Sequence, residues 1–116
     1  MTSTTEILTA NRTDNCGPAT PPIPVPQAED LAAVAKALSD PVRLRIFGHI
    51  AANCCSSVCA CHLPEVFGIS QPTLSHHLKK LVNSGLVHKE MRGRWAHFTP
   101  RPEGLSALRT FLGQLP

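Results

Sequence analysis

No apolar run in this 116-residue chain is long enough to cross a membrane. The opening MTSTTEILTANRTD lacks a basic start followed by an apolar stretch, so no export signal is expected. No CxxC pair occurs, and no oxyanion-binding loop stands beside a single nucleophilic cysteine, which argues against a thiol-based reductase. A structural four-thiolate zinc knot would need two separated pairs of that kind, and they are missing as well. Internal repeats are absent. The five cysteines are an odd number, and adjacent or i,i+2 pairs make poor disulfide frameworks. The expectation is a cytoplasmic protein with mostly reduced thiols.

What is present is unevenly distributed. Residues 1–40 carry two basic and five acidic side chains, whereas residues 41–101 carry eight basic and two acidic ones. A basic middle segment fits a polyanion partner, although a solvated surface of that charge is not unusual. Residues 1–26, with Pro18, Pro21, Pro22, Pro24 and Pro26, read as a flexible N-terminal arm. Its first ten residues are weak candidates for a short helix. Residues 27–116 read as one small domain. A core of that size is thin, and pairing of two copies is a common remedy.

Within the domain, Leu31, Val34, Ala35 and Leu38 recur at helical spacing over Gln27–Leu38. Asp40 is placed to cap a second helix with Pro41 at its first position. Val42, Ile46, Phe47 and Ile50 give that helix its apolar stripe, with Arg43 and Arg45 pointing elsewhere. It should end within residues 51–57. A third helix is predicted from Val58 to Phe67, anchored inward by Leu63 and Phe67 and stopped by Gly68. Ser70 caps a fourth helix whose Leu74, Leu78, Leu81 and Val82 face the core, and Gly85 closes it. Helix, glycine-containing turn, helix is the helix-turn-helix arrangement. Residues 86–91 and 94–99 then read as two strands joined at Arg92-Gly93, forming a basic-tipped wing. Leu105, Leu108, Phe111, Leu112 and Leu115 stripe a final helix. The first and last helices are candidates for a two-fold dimer seam.

SQPTLSHHLKKL, residues 70–81, is the most informative stretch. If the leucines face inward, Thr73, His76 and Lys80 lie outward, with Ser75 and Lys79 at the flanks. Gln71 sits by the N-terminus, where it can meet base edges; Gln bonds adenine in a bidentate way, and Ser or Thr serve several bases. Lys79, Lys80, Arg92 and Arg94 suit phosphates, which fix register without reading sequence. His77 falls nearer the core side and reads as a packed histidine. Trp95 and Phe98 read as packing residues rather than platforms for bases. A dimer would present two such helices about one turn of DNA apart and prefer an inverted repeat in double-stranded operator DNA.

Cys54, Cys55, Cys59 and Cys61 lie within eight residues, just before that helix, and Cys16 lies in the arm. Thiolates are soft ligands suited to zinc, cadmium, copper(I) and trivalent arsenic or antimony. On a regular helix, residues two apart diverge by about 200°, so Cys59 and Cys61 would not share one ion without distortion. Gathering the thiolates would then shift the helix end that precedes the recognition helix. Some of these cysteines can equally be small buried hydrophobes. His62 can join a zinc site, or serve only as a surface or core-edge histidine.

LSDPVRLRI at 38–46, SQPTLSHHLKKL at 70–81 and SGLVHKEMRGRWAHF at 84–98 resemble the hallmark segments of the ArsR/SmtB family of bacterial metal- and arsenic-sensing repressors. The resemblance implies a mainly α winged helix-turn-helix with a small β-hairpin, homodimeric, repressing resistance operons and leaving the operator when the toxic ion binds. It places Gln71, Thr73, Ser75, His76 and His77 in the DNA-binding helix. The cysteines resemble the arsenical branch, with trivalent arsenic or antimony as inducer and cadmium, lead, zinc or an organoarsenical as alternatives. Cys59-Ala60-Cys61-His62-Leu63 resembles the leading part of a Cys-Val-Cys-Asp-Leu-Cys motif whose third cysteine would fall at Pro64. A second sensor type uses an N-terminal cysteine pair and a cysteine before the third helix. Cys16 and Cys55 match two of those positions, Asn15 occupies the other, and Cys54 can replace the lost ligand. The resemblance thus implies Cys16, Cys54 and Cys55 as the preferred triad, with Cys59 and Cys61 as a rival or second site. The zinc-sensing branch uses carboxylates and histidines on the last helix, where this chain has only Glu103. The expected protein is a repressor and not an enzyme. A repressor switched by a thiol disulfide, a zinc-stabilised interaction module and an arsenate reductase are the rival readings.

Overall fold

The computed structural model describes residues 21–53 and 57–116. The expectations for the arm's first twenty residues, and for Cys16, Cys54 and Cys55, lie outside the described residues. The order is α1 (Val25–Ala37), α2 (Pro41–Ala52), β1 (Val58–Cys59), a 3-10 turn (Ala60–His62), α3 (Leu63–Phe67), α4 (Gln71–Asn83), β2 (Val87–Arg92), β3 (Trp95–Pro100) and α5 (Pro102–Gly113). The three strands form one antiparallel sheet in the order β1-β3-β2.

Helix α1 begins two residues earlier than the periodicity places it. Pro26 sits in the first turn, where its missing N–H has no partner to lose. Leu31, Val34 and Ala37 are its buried residues; Ala35 is exposed. Asp40 caps α2 through a 2.9 Å bond from Arg43 N–H to Oδ1. That bond is the main reason the Asp40 carboxyl titrates below its ordinary range. Ile46, Phe47 and Ile50 enter the core. Arg43 does not point away from it: the side chain is buried, and its Nη1 donates to the Ala37 carbonyl at 3.2 Å.

The predicted third helix over Val58–Phe67 is corrected. Val58 and Cys59 are extended, pairing with Phe98 and His97 of β3, and only Leu63–Phe67 is α-helical. The physical reasons are local. Val58 is β-branched and buried opposite Phe98. Pro64 lacks the amide that a continuous helix would bond back to Ala60. Cys59 Sγ instead caps the turn, accepting from Cys61 N–H at 3.2 Å.

Ser70 caps α4 by accepting from Thr73 N–H. At its other end Gly85 adopts φ +80°, Leu86 N–H returns to Leu81 at 3.1 Å and Gly85 N–H to Val82 at 3.0 Å. This left-handed termination needs glycine. The wing's strands run one residue later than predicted, because the turn is Gly93-Arg94, with Arg92 paired to Trp95 and Gly93 at φ +65°. A two-residue hairpin favours a positive φ at its first central residue.

The core gathers Val34, Ile46, Ile50, Val58, Ala60, Leu63, Leu74, Leu78, Leu81, Leu86, Val87 and Phe98 from every element but α5. No residue of α5 is buried; Leu112 and Leu115 are 53% and 51% exposed, although Leu105 and Leu108 pack against the core's edge. None of the described helices is long and apolar enough to cross a membrane.

Candidate nucleic-acid interface and sulfur pair

Helix α4 buries Leu74, Leu78 and Leu81 and leaves Gln71, Thr73, Ser75, His76, Lys79 and Lys80 exposed. The amphipathic division follows the leucine spacing. His77 belongs to the inner side. It is buried, its Nδ1 has no partner among the described residues, and burial lowers the pKa of its imidazole. A base-reading role for His77 therefore finds no geometric support, whereas the packed reading does.

Between α4 and the wing lies a cleft of about 590 Å³ whose rim carries Gln71, Ser75, Lys79, Lys89 and Arg94 over a floor of Leu78 and Phe98. Among the described residues, no carboxylate lines it. Lys89 escaped the sequence reading; its signal was the alternation of β2, which puts it opposite Phe98 and beside the recognition helix. Phe98 is buried as expected, but Trp95 is 43% exposed at the rim rather than packed inside. Arg94 occupies the wing's turn. Arg92 is turned back from the tip: Nη1 donates to Ser57 Oγ at 3.0 Å, while Nη2 and Nε donate to Glu90 at 3.0 and 3.3 Å. Ser57 Oγ also shares a hydrogen bond with His97 Nδ1 at 3.2 Å.

The sulfurs of Cys59 and Cys61 do not diverge. They converge to within bonding reach, with Cα atoms 5.3 Å apart, which corrects the helical geometry expected for this pair. Two departures from a helix bring them together: the extended backbone at Cys59, and the tight turn that carries Cys61. Cys59 lies directly opposite His97 in the sheet, and the turn holding Cys61 runs straight into α3. Among the described residues, no group of three or more His, Cys, Asp or Glu side chains is arranged around a metal position. His62 is exposed and joins no such cluster.

Residues 40–89 match the family model described as "Bacterial regulatory protein, arsR family". The chain is 46% identical over 65 residues to an arsenical resistance operon repressor of Staphylococcus xylosus, covering 56% of this chain and 60% of that one. It is 36% identical over 73 residues to the repressor of the same description from Bacillus subtilis (strain 168), covering 63% of this chain and 68% of the relative. Among solved structures, an ArsR-like transcriptional regulator from Rhodococcus sp. RHA1 superposes with a TM-score of 0.67 at 26% identity, covering 78% of this chain and 82% of that one. The similarity to the Staphylococcus relative thus spans less than two thirds of its length. A capped recognition helix, a hairpin wing beside it and these relatives agree: the chain belongs to the arsR family of bacterial regulatory proteins, with the winged helix-turn-helix fold.

Proposed function

We propose that this protein is a cytoplasmic repressor that binds inverted-repeat operator DNA as a homodimer and leaves it when trivalent arsenic or antimony binds its cysteine thiolates. The observation that carries the reading is adjacency. A cation-rimmed, carboxylate-free cleft beside α4 shares the sheet that holds a converging pair of soft sulfur donors. Gln71, Thr73, Ser75 and His76 face outward for base edges; Lys79, Lys80, Lys89 and Arg94 serve phosphates. The uncovered stripe of Leu112 and Leu115, with α1 packed beside α5, supports pairing of two copies along those helices.

The donor set fits a thiophilic ion in its reduced form. Cys59 and Cys61 bring two sulfurs together, and Cys16, Cys54 or Cys55 would supply the third. The preferred triad of Cys16, Cys54 and Cys55 stays a candidate in its own right. Cys54 and Cys55 precede β1 in the sequence, and Cys59 and Cys61 lie on β1 and the turn into α3, so drawing sulfurs together there would displace the wing strand and the helix-turn-helix in one motion.

The test is operator affinity with and without arsenite for serine substitutions at each cysteine. Cys55→Ser is expected to blunt release and leave repression intact. Release at unchanged arsenite sensitivity in that variant would shift the site to Cys59 and Cys61. A wild-type dimer that holds its operator equally well when loaded with arsenite would overturn the sensor reading altogether.

A further inference from the structure

We infer that the cavity at the corner between α1 and α2, walled on its other side by the end of α4, is a phosphate-binding site. The site itself stands on geometry and charge; that its phosphate comes from DNA rests on the operator-binding reading.

Its basis is a buried cation with no counter-ion among the described residues. Arg43 is only 8% exposed, and its Nε has no partner there. Nη1 is spent on the Ala37 carbonyl at 3.2 Å. None of the described carboxylates stands within ion-pair distance of it. Asp40, the acid nearest in sequence, uses Oδ1 to accept the Arg43 backbone N–H and so caps α2 instead. Taking a guanidinium out of water is costly unless opposite charge and hydrogen bonds compensate, and one neutral carbonyl is a poor substitute.

The side chain lines a cavity of about 620 Å³. Two more cations, Lys36 from α1 and Lys80 from α4, stand on its walls, against the single carboxylate of Asp40. The cavity is therefore net positive. Ser39 and Ser84 also line it, but their hydroxyls donate to the carbonyls of Lys36 and Leu81, at 2.7 and 2.9 Å. Selection is left to the cations, and a guanidinium flanked by two mobile ammonium groups suits the oxygens of a phosphate.

The cavity's place beside α4 points to the source. Ser75 lines the cleft under the wing, and Lys80 lines this cavity; the two lie about 140° apart around a regular helix. Cationic hollows thus occupy both flanks of α4. A helix seated in the major groove has a sugar-phosphate strand on either side of it. The wing cleft faces one strand, and the α1–α2 corner faces the other. Free inorganic phosphate is the second source of the same group.

The experiment uses the full chain and Lys36→Gln, an exposed position whose change leaves the core intact. In one arm, operator affinity is measured over a range of salt. Lys36→Gln should lower it on the order of tenfold, evenly across sequences, and make the slope of log affinity against log salt shallower by about two per dimer. Lys36→Arg should keep both. In the other arm, inorganic phosphate is titrated into the DNA-free protein against chloride of equal ionic strength, followed by amide NMR. Saturable shifts at Lys36, Arg43 and Lys80 that vanish in Lys36→Gln are expected. A shallower slope upholds the site with DNA as its source. An unchanged slope with saturable phosphate shifts upholds it with free phosphate as its source. An unchanged slope without such shifts overturns it. If the wild type binds no operator, the operator-binding reading fails, and the phosphate titration alone upholds or overturns the site.

Discussion

Replacing Gly104 with alanine should destabilise the protein by about 2 kcal/mol, against the usual sign for glycine in a helix. Gly104 lies in the first turn of α5, pressed against the turn that ends α4. A Cβ there would stand 2.8 Å from the Gly85 carbonyl carbon, 3.2 Å from Leu86 Cα, and nearer still to the Gly85 oxygen. All three neighbours are backbone, held by the left-handed termination at Gly85, so no side chain can swing aside. The helix must back away and strain the 2.9 Å bond from Arg101 N–H to the Leu86 carbonyl. Overpacking costs about 1–3 kcal/mol, and the hydrogen bond ~0.5–1.5. Better helix propensity returns about 1 kcal/mol. For a domain of this size the net loss lowers Tm by about 8–16 °C. Thermal unfolding followed by circular dichroism, at one fixed protomer concentration because self-association would make Tm depend on it, measures this. Gly48→Ala is the control. Gly48 is exposed within α2 with nothing near its missing Cβ, so alanine there should stabilise by about 0.5–1 kcal/mol. If both variants raise Tm alike, the close approach of α5 to the α4 turn is wrong.

Lys89→Ala should weaken operator binding evenly across sequences and reduce the salt slope by about two per dimer, read from titrations at several salt concentrations. An unchanged slope would remove Lys89 from the interface. Gln71→Ala should instead relax preference at one base position per half-site by about 1–3 kcal/mol, seen by comparing operator variants. Burial favours the neutral imidazole of His77, so the unfolded chain binds more protons near its ordinary pKa of 6.5. Its contribution to stability is therefore present above about pH 6.5 and lost as pH falls through the lowered folded value. His77→Leu should flatten the decline of Tm between pH 7 and pH 5; an unaltered decline would place its cause elsewhere.

The helix-turn-helix was legible because its signals are local and redundant. Ser70 and Asp40 are caps, Gly85 is a stop, and Leu74, Leu78 and Leu81 keep strict spacing, so each element is specified by residues within itself. The segment around the cysteines was not. Val58-Cys59 becomes a strand only because β3 is there to pair with it, a partner 40 and 38 residues away in sequence, Val58 against Phe98 and Cys59 against His97. Helical periodicity cannot report such a non-local pairing, and the error carried over to the sulfurs, whose convergence depends on it. Arg43 and Lys89 were missed for the opposite reason: their positions depend on which backbone carbonyl or cleft lies within reach of a long side chain, which spacing does not encode.

The hairpin's brevity constrains how the protein can select its target. With only Gly93 and Arg94 at the apex, the finger is short and blunt. It has too little chain to thread into a minor groove and follow the edges of several base pairs. On the proposed reading as an operator-binding dimer, discrimination among operators devolves on the few side chains of one helix per subunit, and on how the two halves are spaced. Relatives that differ at those few positions would diverge in target while keeping the same frame.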